Sequence, residues 1–187
     1  MRRTLLAFSL ACTTVLLAAP RGQQAPATAN APAPPKSGFR AEFLHDLDEV
    51  QKKIVSLADA MPAEKYKWRP APGVRSVSEV YMHIAGGNYF LASFVGMKMP
   101  SYDTTKLETI GEKPRVLEEL KKSFDHLRTA ALIATDADLE KSIKMFGSDT
   151  TERAAFITAL NHLHEHLGQS IAYARMNGVV PPWSGKE

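Results

Sequence analysis

The sequence predicts an all-α protein, an antiparallel four-helix bundle, and three observations carry that prediction. Four successive segments repeat apolar residues at steps of three or four, the period of one buried helix face. Capping and stop residues bound the segments. No run of alternating apolar and polar residues is flanked by hairpin turns, so strands are not expected.

The first helix is expected from Phe39 to Ala60, where Phe43, Leu47, Val50, Ile54 and Leu57 share a face, and Pro62 ends it. The second opens at Ser76-Val77-Ser78-Glu79: a hydroxyl followed three residues later by a carboxylate satisfies orphan backbone donors reciprocally. It continues towards Val95, and Gly96 stops it. The third starts near Pro114, a residue tolerated in a first helical turn, and carries Val116, Leu120, Phe124 and Leu127. The fourth begins after Asp149, with Glu152 three residues on, and runs to Asn177 before Gly178 and Pro181-Pro182. Lengths of about 20 residues, the longest about 28, suit a bundle.

With 187 residues, 44% hydrophobic and 23% charged, the chain has the composition of one soluble domain with an ordinary core. Residues 1–25 read as an export signal: Met1-Arg2-Arg3 precede an apolar run from Thr4 to Ala19, too short to span a bilayer comfortably, and small residues follow. Cleavage is expected after Ala19 or within Ala25 to Ala29, giving a periplasmic or secreted protein with no stable membrane span. Residues 26–37 form a Pro/Ala-rich linker that cannot bury enough apolar surface to order itself. The bundle domain occupies 38–187.

The sole cysteine, Cys12, lies inside the apolar run, so the mature chain has no disulfide. It does not read as a lipid-anchor site, because Ser9 stands where an aliphatic residue would be needed. The net charge of +3 is equally local. Three of the 23 basic residues, Arg2, Arg3 and Arg21, precede Thr28 and no acidic one does, which leaves 20 basic against 20 acidic groups beyond. A neutral mature chain removes the electrostatic argument for nucleic acid as a partner.

Candidate chemistry rests on histidines. His162 and His166 stand four apart in Asn161-His162-Leu163-His164-Glu165-His166, so a helix stacks their imidazoles one above the other. His83 shares its helical face with Val80, Gly87, Phe90 and Phe94 and points into the bundle. Taken alone it reads as a satisfied core histidine. Taken with the HxxxH pair, it completes three neutral imidazoles with an open fourth position, the pattern of a catalytic metal site. His164 points to the other side of its helix, Glu165 reads as a surface charge, and His45 and His126 sit in charged stretches that read as solvated. Glu79 is the nearest carboxylate in sequence to His83, although its capping role explains it without chemistry. Trp68, Tyr89 and Tyr173 read as pocket walls or as core, and Arg175 as a complement to the last helix dipole.

Several stretches resemble the DinB (DinB/YfiT-like) family. They are Tyr66-Lys67-Trp68-Arg69-Pro70, Arg75 to Val80 leading into Met82-His83-Ile84-Ala85, His162, Glu165-His166-Leu167-Gly168-Gln169, Tyr173-Ala174-Arg175 and Gly178 to Pro182. The resemblance covers roughly Phe39 to Pro182. It implies a four-helix bundle of up-down-down-up type, often a homodimer, holding a divalent metal through one histidine of the second helix and two of the last. Those positions here are His83, His162 and His166. Many members have His-Arg-Gly-Gln where this chain has His166-Leu167-Gly168-Gln169, which keeps the ligand and removes a basic neighbour.

Characterised relatives include transferases and isomerases that use low-molecular-weight thiols, a pool that an exported protein leaves behind. Two functions of different class therefore stay open. One is an exported metal-dependent hydrolase or transferase acting on an unidentified small-molecule substrate. The other is a noncatalytic bundle in which the metal is structural or a small ligand is bound without turnover. The ion is expected to be zinc, nickel or iron, and copper also suits imidazole.

Overall fold

The computed structural model describes residues 33–185, and the expected export signal and linker residues 26–32 lie outside them. Four helices dominate: α1 Phe39–Ala60, α2 Val77–Ser93, α3 Lys113–Ile133 and α4 Glu152–Met176. No helix among the described residues is long and apolar enough to cross a membrane.

The ends of the helices report their directions. Arg40, at the start of α1, donates to the carbonyls of Ala131 and Leu132 at the end of α3, while Lys113, at the start of α3, donates to Met61 beyond α1. These two helices are antiparallel. Gly87 and Arg75 of the second helical segment meet His162 and Tyr173 respectively, so α2 and α4 also run oppositely. Phe43 and Phe156 pack near the starts of α1 and α4, ring centres 4.8 Å apart, making that pair parallel. The order is thus up-down-down-up. Because α2 and α3 run the same way, residues 94–112 must travel back along the bundle, and they lay a short 3-10 helix, Thr104–Thr109, against α2.

The core runs the length of the bundle through Leu47, Ile54, Met82, Ile84, Leu120 and Leu163, all fully buried. Each such side chain contributes roughly 1.5–3 kcal/mol on burial, which offsets weak local preferences such as Gly168 in α4, about 1 kcal/mol worse than alanine. The expected capping box of α2 forms: the Glu79 amide donates to Ser76 Oγ at 3.4 Å, and the Ser76 amide donates to Glu79 Oε2 at 2.6 Å.

Three expectations need correction. A two-stranded antiparallel hairpin, β1 Ser142–Met145 and β2 Ser148–Thr151, precedes α4. Its strands are only four residues long: β1 does alternate, with Ser142 and Lys144 exposed and Ile143 and Met145 turned in, but β2 carries no apolar residue, so the alternation is too short to stand out in the sequence. Asp149 belongs to β2, and Thr151 caps α4 instead, its hydroxyl accepting from the Ala154 amide at 3.3 Å. Helix α2 stops at Ser93, short of Val95, while Gly96 takes the left-handed conformation (φ 85°) just beyond.

Candidate metal centre

His83 projects from the second turn of α2, and His162 and His166 project from the middle of α4. The antiparallel pairing of these helices brings the three rings into one cluster, with one ring nitrogen of each within 4.8 Å of the others. The Nε2 atoms of His83 and His162 are 3.3 Å apart. Ligand bonds of about 2.0–2.1 Å in a tetrahedral shell separate neighbouring nitrogens by about 3.3–3.4 Å, so this pair already has the spacing of two ligands on one ion.

The outer partners decide which nitrogens face inward. His83 Nδ1 lies 3.2 Å from Glu108 Oε1, and His166 Nδ1 lies 2.8 Å from Gln169 Oε1. A carboxylate and an amide oxygen accept only, so both Nδ1 atoms carry the proton and both Nε2 lone pairs point into the cluster. Gln169 in turn donates to Tyr173 Oη at 3.2 Å, and Tyr173 donates to the Arg75 carbonyl at 3.1 Å. The Arg75 side chain meanwhile grips Glu108 through Nε, at 3.1 and 3.0 Å from its two oxygens. Arg75 therefore closes a loop that anchors two of the three imidazoles. His162 Nδ1 is buried and has no partner among the described residues.

That ring is held sterically instead. Its Cε1 side lies against Gly87, where a Cβ would come within 2.3 Å of His162 Cε1. Two converging lone pairs and an inward ring admitted by glycine fit a cation; in its absence His162 Nε2–H donates to His83 Nε2 at 3.3 Å.

Burial depresses the pKa of His162 to about 4, with the neighbouring His166, His83 and Arg75 adding to the effect. His83 is lowered as well, first by burial and then by the Arg75 guanidinium, against the pull of Glu108. Both rings are thus neutral at pH 7. A histidine with a lowered folded-state pKa binds fewer protons folded than unfolded, so stability rises with pH between the two values. Metal-free protein is expected to be most stable above the ordinary imidazole value of 6.5 and to lose stability down to about 4. For His162 alone, discounted for its partial access to solvent, the loss is on the order of 2 kcal/mol. Denaturation of wild type and His162→Gln at pH 7.5, 5.5 and 4 isolates it: the wild-type slope should exceed the variant's, and parallel slopes would refute the assignment.

A cavity of about 400 Å³ opens beside the cluster, bordered by His83, His162 and Glu108 at one end. Its apolar walls come from Phe90, Leu91, Leu107 and Phe146. The expected site residues His83, His162 and His166 come together, and His164 does not: it is exposed, with Nδ1 2.9 Å from the Leu160 carbonyl. His83 faces the cavity and keeps 30% of its side-chain surface, so it is less enclosed than its helical position implied. His126 is half-buried rather than solvated, edge-on to Tyr89 with ring centres 5.0 Å apart.

Glu79 caps α2 and pairs with Arg69 at 2.8 Å, so the acidic partner of His83 is Glu108. Trp68 and Tyr173 pack edge to face, and Tyr89 donates to buried Glu119, which leaves none of the three on the cavity wall. Sequence reasoning missed Glu108, Gln169 and Gly87. Glu108 left no signal, being brought in by an irregular segment 25 positions after His83. Gly87 did leave one: a Gly-Gly pair inside a helix is unfavourable, and its second member stands one turn after His83, where a backbone is closely approached.

The model of the DinB superfamily matches residues 46–170. A comparison with curated protein sequences returned no match. Among solved structures, a DinB-like protein from Bacillus cereus is 22% identical, with TM-score 0.66, covering 75% of this chain and 93% of that one. A DinB-like protein from Bacillus subtilis is 16% identical, with TM-score 0.60 and coverage of 74% and 94%. A conserved protein from Enterococcus faecalis is 16% identical, with TM-score 0.61 and coverage of 75% and 97%. At these identities the structural likeness carries the fold.

Proposed function

This chain belongs to the DinB superfamily, and from that premise we propose that it is an exported metal-dependent hydrolase or transferase whose divalent ion is held by His83, His162 and His166. One observation carries the reading: three imidazoles converge, two with their outer nitrogens satisfied, and two of the three, His83 and His162, line a cavity large enough for a small molecule. A structural metal site is normally closed by a fourth protein ligand, whereas this cluster has three among the described residues and opens on space.

The chain's own groups bind and orient. Glu108 and Gln169 fix the rings of His83 and His166, Gly87 admits the ring of His162, and the walls keep bulk water from the bound molecule. When bound, the ion supplies Lewis acidity, favouring the deprotonated form of a water or thiol or polarising a carbonyl. Glu108 is the carboxylate on the wall, and Arg75 and His83 already engage it. The residues therefore support chemistry driven by the ion and by positioning, with no second free acid among the described lining residues.

A second reading has one observation in its favour. The cluster bridges α2 and α4, so an ion there would also clamp two helices together. Metal analysis of the purified protein with X-ray absorption at the bound ion separates the two. One ion per chain with three imidazoles and an exchangeable fourth ligand is expected, and four protein ligands would favour the clamp. Export has its own check: N-terminal sequencing of protein recovered outside the cytoplasm should start after Ala19 or within Ala25 to Ala29, and cytoplasmic protein retaining Met1 would refute it. The family likeness also supports a homodimer, which sedimentation of the same preparation tests.

A further inference from the structure

The turn of the hairpin contains a residue that its backbone does not favour. Strands β1 and β2 are joined by Phe146-Gly147, with φ of 51° and 85°. Positive φ at both central positions marks a type I′ turn, whose favoured first residue is asparagine, aspartate or glycine. A bulky aromatic residue there is an outlier. Phe146 also fails to gain burial in compensation, since 67% of it is exposed.

What it does instead is reach back over α2. Its ring centre lies 6.1 Å from that of Phe90 and 5.8 Å from that of Phe94, and Phe90 is itself 46% exposed. Phe146 and Phe90 both line the cavity beside the histidine cluster. Backbone strain and aromatic exposure thus coincide at the lip of one opening, a combination that favours a role in the bound state over one in folding.

The lining restricts what can enter. Leu91 and Leu107 continue the apolar wall inward, and the hydroxyls are neutral threonines. No lysine or arginine lines the cavity among the described residues, and the nearby Arg75 guanidinium is engaged by Glu108. Apart from the ion itself, a phosphorylated or polyanionic molecule would find no countercharge along the walls, and a strongly polar body would lose hydration there without replacement hydrogen bonds. We infer that the site takes a ligand with a compact apolar, preferably aromatic, uncharged body under the Phe90/Phe146 lip and a metal-ligating head at the ion held by His83, His162 and His166. The volume of about 400 Å³ accommodates one ring and a short linker, near the lower end of small-molecule sites. This deepens the metal-site reading and rests on it.

The test uses the purified protein loaded with zinc, and it assays zinc content before any ligand is added. Acetohydroxamate and benzohydroxamate share a chelating head and differ in the aromatic ring. Calorimetric titration should give benzohydroxamate an affinity about tenfold higher, the return expected for burying a ring in a preformed apolar site. Phe146→Asn supplies the residue that the turn prefers, so its thermal midpoint should equal or exceed wild type. Its benzohydroxamate affinity should fall about fivefold while acetohydroxamate stays within about twofold. Equal affinities of the two hydroxamates for zinc-loaded wild type would overturn the apolar pocket and leave the metal reading standing. A Phe146→Asn variant with unchanged discrimination would overturn the role of the lip. Absence of zinc from wild type would instead overturn the metal reading, and the headed ligand with it.

Discussion

Replacing His166 by alanine is expected to lower metal affinity by more than about 100-fold, while His164→Ala leaves it unchanged. Losing an outer hydrogen-bond partner of a ligand costs roughly 10–100-fold, and this change removes the ligand and its Gln169 contact together. His164 is the control because it stands on the same helix, two residues away, yet its ring is exposed and bonded to its own helix. Stability of the same variants separates the two functions. His166 is 8% exposed, so truncation leaves a small void and an unpaired Gln169 oxygen, a loss of about 1–3 kcal/mol without metal. If the ion clamps α2 to α4, wild type should show a much larger midpoint drop on chelation than His166→Ala does. If the ion serves chemistry in a bundle already packed, chelation should cost wild type little. Equal metal content in His166→Ala, His164→Ala and wild type would remove the triad altogether.

The parts of this protein that could be read from its sequence are those with local physical causes. Helix α1 begins at Phe39 and ends at Ala60 as its apolar period and Pro62 require, and the Ser76/Glu79 box starts α2 where its spacing indicates. The HxxxH pair was legible for the same reason, since four residues make about one turn. His83 was legible once its helical face was considered. The hairpin escaped because its strands are four residues long and Ser148 to Thr151 carries no apolar residue, so backbone pairing rather than side-chain pattern defines it. Glu108 escaped because its position depends on topology: the return between parallel α2 and α3 decides which loop carboxylate meets His83. Phe146 lay in plain view beside Gly147, but its meaning depends on φ and on a cavity whose other wall is α2. Local chemistry thus announced the three clustered histidines, while long-range chain routing chose the groups that orient them and shape the space beside them.

Gly87→Ala should strip the metal while leaving the fold nearly intact, and Gly86→Ala should disturb neither. Within a helix, alanine is favoured over glycine by about 1 kcal/mol, so propensity alone predicts that both substitutions stabilise. The surroundings reverse this at Gly87. A Cβ there would lie 2.3 Å from His162 Cε1 and 2.8 Å from its Nδ1, far inside the contact distance of about 3.5–4.0 Å. At Gly86 the nearest atom is Leu107 Cδ1 at 3.8 Å, an ordinary contact. The packed backbones of α2 and α4 resist separation, whereas the ring of His162 is the free end of a side chain and has no hydrogen bond at Nδ1 to hold it. The ring therefore gives way, carrying Nε2 out of the cluster and leaving His83 and His166 as a two-ligand site. Metal affinity should fall at least about tenfold in Gly87→Ala, and metal-free stability should stay within about 1 kcal/mol of wild type. Zinc titration and urea denaturation of the two glycine variants, side by side, check both halves. A Gly87→Ala protein that binds metal as wild type does would mean that His162 is not held against this glycine, and the ligand set would lose the member on which its convergence depends.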